Sequence, residues 1–243
     1  MLSVIPAGLF SRLRIFLGRL KPHALPVARR HIVLGSIGAG TGLAVTSMFS
    51  HWLLGEVNLW FIAPMGASAV LLFGVPSSPL AQPWSIVGGN VLSALIGVTV
   101  GMLVPDPALA CGLAAALAIA GMYFLRCLHP PGGAVALTAI LGGAGVHSEG
   151  YHFVLTPVLL NSLMLALLAI VFNNLVGRRY PHPLAAEEVK SRTVPLGISV
   201  TREDIHAALL EGQFLDIDED DVQELLGNIE QQARQRIAAA GRR

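Results

Sequence analysis

APMGASAVLLFG, residues 63–74, and PPGGAVALTAILGG, residues 130–143, are the two stretches on which the fold turns. Aligned with Pro64 on Pro131, both read proline, any residue, glycine, alanine, any residue, alanine, with Val70 and Leu137 next. Each is a short apolar segment opened by proline and glycine. A pair of such segments in corresponding halves of a hydrophobic chain points to the interrupted helices of a transporter or channel.

The sequence around them is that of a membrane domain. Between His31 and Gly177 only Glu56, Asp106, Arg126 and Glu149 carry a formal charge, although the chain holds 16 basic and 15 acidic side chains. A bilayer core about 30 Å thick asks for roughly 17 to 25 apolar residues per helix. Ile32 to Leu54, Trp84 to Val104, Pro107 to Leu125 and Phe153 to Val176 meet that length, whereas Leu59 to Val75 and Pro130 to Val146 are short and broken near their starts. The short pair either spans or re-enters.

Charge sets the orientation. Arg12, Arg14, Arg19, Lys21, Arg29 and Arg30 precede the first span, and Arg178, Arg179, Lys190 and Arg192 follow the last. The positive-inside rule then places both termini in the cytoplasm and requires an even number of crossings. Six crossings keep Arg126 inside and put Glu56, Asp106 and Glu149 outside; four crossings with two re-entrant segments is the competing topology. The basic residues follow the first apolar stretch, which is not the order of a cleaved secretory signal. Residues 1–30, with Leu9, Phe10, Leu13, Phe16, Leu17 and Leu20 at helical spacing among arginines, form an amphipathic segment suited to the inner leaflet, or else a basic tail. Residues 31–177 form the membrane domain and residues 178–200 a polar linker. Thr201, as an N-cap with Asp204 at N3, opens a small cytoplasmic helical hairpin over residues 201–243.

Internal symmetry extends the reading. The span after each short segment carries asparagine, any residue, leucine: Asn90 with Leu92, and Asn161 with Leu163. The expected architecture is all-α, about six membrane segments in a three-plus-three inverted repeat. Small residues at four-residue spacing, Gly89, Ser93, Gly97 and Gly101, then Gly112, Ala116 and Ala120, and Gly35 with Ala39, predict faces where helix backbones approach closely.

Arg126-Cys127-Leu128-His129-Pro130-Pro131-Gly132-Gly133 is the densest chemical constellation. The proline pair breaks the helix, and the segment that follows is expected to present free N–H groups and the positive end of its dipole to an anion. Arg126 and His129 stand beside it to add charge and hydrogen bonds; the alternative is that Arg126 snorkels to the interface and His129 caps a turn. Candidate substrate-binding residues are Arg126, His129, Pro131, Gly132 and Gly133, with Pro64 and Gly66 from the first segment and Asn90 and Asn161 from the following spans. A side chain at Gly133, as in Gly133→Val, is expected to obstruct the site. Polar residues at membrane depth face a cavity or a neighbouring helix, so the asparagines either line a pore or bond between helices. Ser77, Ser78 and Gln82 read as a hydrated inner loop.

Cys111 and Cys127 have no disulfide or zinc-ligand spacing. No nucleophile, acid pair or metal cluster stands at a catalytic spacing, so no enzyme activity, cofactor or metal is expected.

Three stretches carry a resemblance: APMGASAVLLF from Ala63, SPLAQPWSIVGGNVLSALIGV from Ser78 and LHPPGGAVALTA from Leu128. Together they resemble the HPP family of integral membrane proteins, named for His129-Pro130-Pro131. Plant plastid and cyanobacterial members have been assigned nitrite transport, so the resemblance implies movement of a small inorganic anion, nitrite first, across a bacterial inner membrane. Many bacterial relatives continue into paired CBS domains after such a hairpin, and this chain stops at Arg243. The implied partners are the anion and the lipid bilayer, with no nucleic acid; a homo-oligomer is compatible with the sequence. The rival reading is a non-transporting membrane scaffold or sensor whose hairpin binds a partner.

Overall fold

The computed structural model describes residues 28–54 and 62–182, with Leu17 and Leu226 as isolated positions. The expected amphipathic segment and the cytoplasmic hairpin lie outside the described residues. Within them every regular element is helical. Helix α1 runs Arg29–Leu54, and α2 runs Ile62–Ala69 and passes into a π-helical turn at Val70–Gly74. A 3-10 turn at Pro79–Ala81 leads to α3, Pro83–Leu103, and then α4, Pro107–Phe124. After the His-Pro-Pro turn come α5, Pro131–Leu141, and the short α6, Gly143–Glu149. A second π-helical turn, Val154–Leu159, opens α7, Leu160–Leu175.

Local chemistry sets these boundaries. Pro83, Pro107 and Pro131 stand at helix starts, where a missing N–H costs nothing. Asp106 caps α4 by accepting from Leu109 N at 2.8 Å. Four stretches are long and apolar enough to cross a membrane: Arg29–Leu53, Pro83–Leu103, Pro107–Phe124 and Val154–Leu175. The expected short pair appears as α2 with its π turn and as α5, and both are indeed too short to match the other four.

Hydrogen bonds gather helix ends at one pole of the bundle. Arg178 donates to Phe73 O at 2.8 Å and to His31 O at 3.1 Å, joining the end of α7 to the end of the α2 segment and the start of α1. Trp84 Nε1 donates to Leu125 O, which joins the start of α3 to the end of α4. At the other pole Thr99, near the end of α3, meets the Tyr151 hydroxyl ahead of α7 at 3.1 Å.

Helix α3 is the hub, packed on α4 and α5 along one flank and on the second π turn and α7 along another. A Cβ on Gly97 would stand 2.6 Å from Ala136 O, and one on Gly89 2.7 Å from Cys127 O, so glycine lets α5 and its entry turn touch the α3 backbone. That part of the small-residue stripe packs as expected. The Gly112, Ala116 and Ala120 series does not: these three residues face outward, and α4 buries Ala110, Ala114, Ala118 and Met122 instead. Both faces of α4 are rich in small residues, so spacing alone did not distinguish them.

The arrangement is inverted relative to a soluble bundle. Leu103, Leu109, Phe124, Leu167 and Leu175 are exposed, whereas Ser68, Asn90, Ser93, His129, Asn161, Ser162 and Asn173 are buried. In lipid an apolar exterior is at home, and polar groups gain by meeting inside.

Candidate functional site

The His-Pro-Pro turn begins where α4 ends. Arg126 takes the left-handed conformation, φ 54°, and Cys127 N donates to Met122 O while Arg126 N donates to Tyr123 O, closing a Schellman motif. This geometry turns Arg126 outward into an exposed position and Cys127 inward. Arg126 therefore does not join the buried constellation.

His129 is fully buried. Its Nδ1 lies 2.9 Å from Leu80 O and its Nε2 2.8 Å from Ser68 Oγ. A carbonyl only accepts, so Nδ1 carries the proton and donates to Leu80, and in the neutral ring Nε2 accepts from the Ser68 hydroxyl. Ser68 also stands 3.1 Å from Pro64 O. With a proton on Nε2 the same atoms stay bonded: Nε2–H donates to Ser68 Oγ, and Ser68 donates to Pro64 O. The pair thus serves either charge state of the ring without moving heavy atoms. It also ties the two proline-opened segments together, since Ser68 lies on α2 one turn after Pro64 and His129 sits two residues before Pro131.

The start of α5 is not the open donor set that was expected. Gly132 N donates to His129 O at 2.8 Å and Gly133 N to Pro130 O at 3.0 Å, so a tight turn already uses both groups. Pro131 and Gly132 are buried, and a Cβ on Gly132 would come 2.7 Å from Ser93 Oγ. Gly133 and Gly66 differ, because an added Cβ there meets nothing within 4 Å. The obstruction expected at Gly133 belongs to Gly132.

Asn90 and Asn161 both come to the interior. Asn90 Nδ2 donates to Ser162 Oγ at 3.1 Å, which joins α3 to α7. Asn90 Oδ1 and both polar atoms of the Asn161 amide are buried with no hydrogen-bond partner. Among the described residues no group of three or more His, Cys, Asp or Glu could hold a metal ion.

Sequence reasoning missed Ser68 and Ser162. Ser68 fills the variable position of the proline-glycine motif, so alignment hid it. It also missed the segment after α7. Arg178 is buried against two carbonyls, Tyr180 donates to Ala81 O at 2.6 Å, and His182 N donates to Gln82 Oε1 at 2.8 Å. Burial pushes the Tyr180 phenol well above its usual pKa, which keeps it an O–H donor. This strap covers the turn expected to be a hydrated loop: Ser77 and Ser78 are buried, and Gln82 Nε2 donates to Pro76 O and Ser78 O. The polar side chains there close the turn on itself.

An apolar exterior, a buried polar interior and two interrupted segments joined through a histidine define a polytopic helical membrane protein. The chain belongs to the HPP transmembrane-region family, whose profile matches residues 25–181. It is 39% identical over 146 residues to one transmembrane protein of Dictyostelium discoideum, covering 58% of this chain and 47% of the relative. A second transmembrane protein of the same organism is 43% identical over 125 residues, covering 49% and 44% respectively. The chain thus spans less than half the length of the curated relatives it matches. No solved structure gives a significant match.

Proposed function

We propose that this protein moves a small inorganic anion, nitrite first, across a bacterial inner membrane. The observation that carries the reading is a buried polar interior without a carboxylate. His129, Ser68, Asn90, Asn161 and Ser162 are all sequestered, while Asp106 and Glu149, the acids among the described residues, lie at the N-cap of α4 and the end of α6. Polar residues held at membrane depth are costly and mark solute paths. A polar interior with donors and, among the described residues, no acid suits an anion and offers no counter-charge to a cation. Two π-helical turns, a form that recurs at functional sites, pack on α1 and on α3 respectively. The nitrite transport assigned to plant plastid and cyanobacterial members of the family suggests the substrate.

In this reading the domain crosses the membrane six times as two inverted halves of three. The gathering of the starts of α1, α3 and α5 with the ends of α2, α4 and α7 at one pole supports it. That pole holds Arg29, Arg30, Arg126, Arg178 and Arg179, and Asp106 and Glu149 lie away from it; by the positive-inside rule this supports a cytoplasmic basic pole. In a background lacking Cys111 and Cys127, cysteine at position 106 or 149 is expected to react with an impermeant maleimide from outside, and at position 126 only after permeabilisation. External labelling at 126 with protection at 106 reverses the topology.

The functional test is nitrite uptake into proteoliposomes holding the purified protein. Uptake above that of protein-free vesicles is expected, and His129→Leu, which removes both ring contacts, is expected to slow it about tenfold, the upper end of what one neutral hydrogen bond contributes. Vesicles that fill no faster with protein than without sink the transport reading. They would favour a scaffold, a reading to which the engagement of both His129 nitrogens by protein groups also lends support.

A further inference from the structure

We infer that the anion is held in mid-membrane by uncharged amide and hydroxyl donors, Asn161, Ser162 and Thr46, at a station separate from His129. The inference rests on the transport reading and adds a site to it.

The station begins with a contrast among side chains of one type. Asn173 and Asn174 each return an N–H to the carbonyl four residues back, Ala169 O and Ile170 O. Asn161 is as buried as Asn173, yet neither its Nδ2 nor its Oδ1 has a partner. The threonines divide in the same way. Thr41, Thr99 and Thr138 donate to Ile37 O, Leu95 O and Ala134 O, whereas Thr46 Oγ1 is buried and unbonded. A buried unpaired donor is costly, so two such residues at one level indicate a function.

The register of α1 against α7 puts them at one level. A Cβ on Gly38 would meet the Phe73 ring and, on α7, the Phe172 ring; one on Gly42 would meet the Phe73 ring and, on α7, Leu165 Cδ1 at 3.4 Å. Ascending α1 therefore descends α7, and extending that register by one further turn of each helix sets Thr46 at the level of Asn161 and Ser162. From the α3 side Asn90 Nδ2 donates to Ser162 Oγ, which turns the serine's own hydrogen away from Asn90. Asn161 offers two N–H groups, and Thr46 and Ser162 each offer an O–H. Three side chains thus supply hydrogen-bond donors with no fixed charge among them.

Such donors suit a small, weakly hydrated monoanion with oxygen acceptors, such as nitrite or nitrate. They do not compensate the desolvation of a multiply charged oxyanion. Binding without a cation is weak, which favours release on the far side.

Asn161→Asp tests the station because it keeps shape and adds a negative charge. Nitrite flux in excess of protein-free vesicles is expected to fall about tenfold or more at pH 8 and to recover toward the parent as both compartments are brought to about pH 5.5, because a buried carboxyl titrates high and becomes neutral there. Thr46→Val, which removes one unpaired donor at nearly constant volume, is expected to slow flux several-fold at every pH while raising thermal stability, since the cost of the buried unbonded hydroxyl is removed. Parent-like flux in both variants overturns the station while leaving transport intact, as does a loss of flux in Asn161→Asp that acid does not relieve. Absence of flux in the parent overturns the transport reading and the station with it.

Discussion

Gly97→Val is expected to abolish the native packing of α3 on α5. A Cβ at position 97 would lie 2.6 Å from Ala136 O, 2.9 Å from Ala136 Cα and 2.9 Å from Ala139 Cβ. Two of those atoms are backbone, so no rotamer change relieves the contact, and valine adds two methyl groups that are stiff about χ1. Overpacking a close interior costs about 1 to 3 kcal/mol and sometimes more, and a backbone clash belongs at the upper end. The consequence extends to the site: Gly89 sits two turns earlier on the same stripe, and a Cβ there would come 2.7 Å from His129 Cβ. Parting the helices unseats the histidine. A large fall in the melting temperature of the detergent-solubilised protein is expected, together with loss of flux. Gly112→Ala, at a position where an added Cβ meets nothing within 4 Å, serves as the control and is expected to behave as the parent. Parent-like melting of the Gly97 variant would show that α3 and α5 do not touch through their backbones.

The stripe of Gly89, Ser93 and Gly97 was legible because small residues at four-residue spacing have one common use in lipid. Membrane segments were legible for the same kind of reason, since a bilayer imposes length and apolarity on every crossing. The site was legible only in part. His129, Asn90 and Asn161 stood out as polar residues in apolar text, and each is buried. The role first given to Arg126 depended on backbone conformation: the Schellman closure at Met122 and Tyr123 decides which way residue 126 faces, and a proline-rich string does not encode that direction. The free N–H groups expected at Gly132 and Gly133 failed likewise, because a tight turn on His129 O and Pro130 O satisfies them. In the sequence Arg178 reads as a topological charge. Its burial depends on two carbonyls more than one hundred residues away in sequence, which no local pattern reveals.

Arg178→Met is expected to loosen the basic pole of the bundle while leaving the helices themselves formed. The guanidinium donates to Phe73 O, at the end of the π turn, and to His31 O, in the first turn of α1, and it follows the C-terminus of α7. A cation is favoured at helix C-termini, where unpaired carbonyls concentrate negative charge. Burial, and after it the nearby Arg30 charge, lower the guanidinium pKa from its ordinary value. Methionine fills much of the same volume but leaves both carbonyls without this donor, and charged hydrogen bonds contribute about 1.5 to 3 kcal/mol each. Lysine keeps the charge as a point donor without the planar fork that reaches two carbonyls, so Arg178→Lys should fall between methionine and the parent. The strap that Arg178 anchors continues through Tyr180 to Ala81 O, beside Leu80, whose carbonyl holds His129. Protease cleavage between Val75 and Gln82 in right-side-out and inverted vesicles reads the strap directly. Faster cleavage from the cytoplasmic face is expected in Arg178→Met, intermediate in Arg178→Lys; equal rates in all three proteins would mean that the buried arginine does not hold the turn, and that the His129 seat is fixed from the α3 side alone.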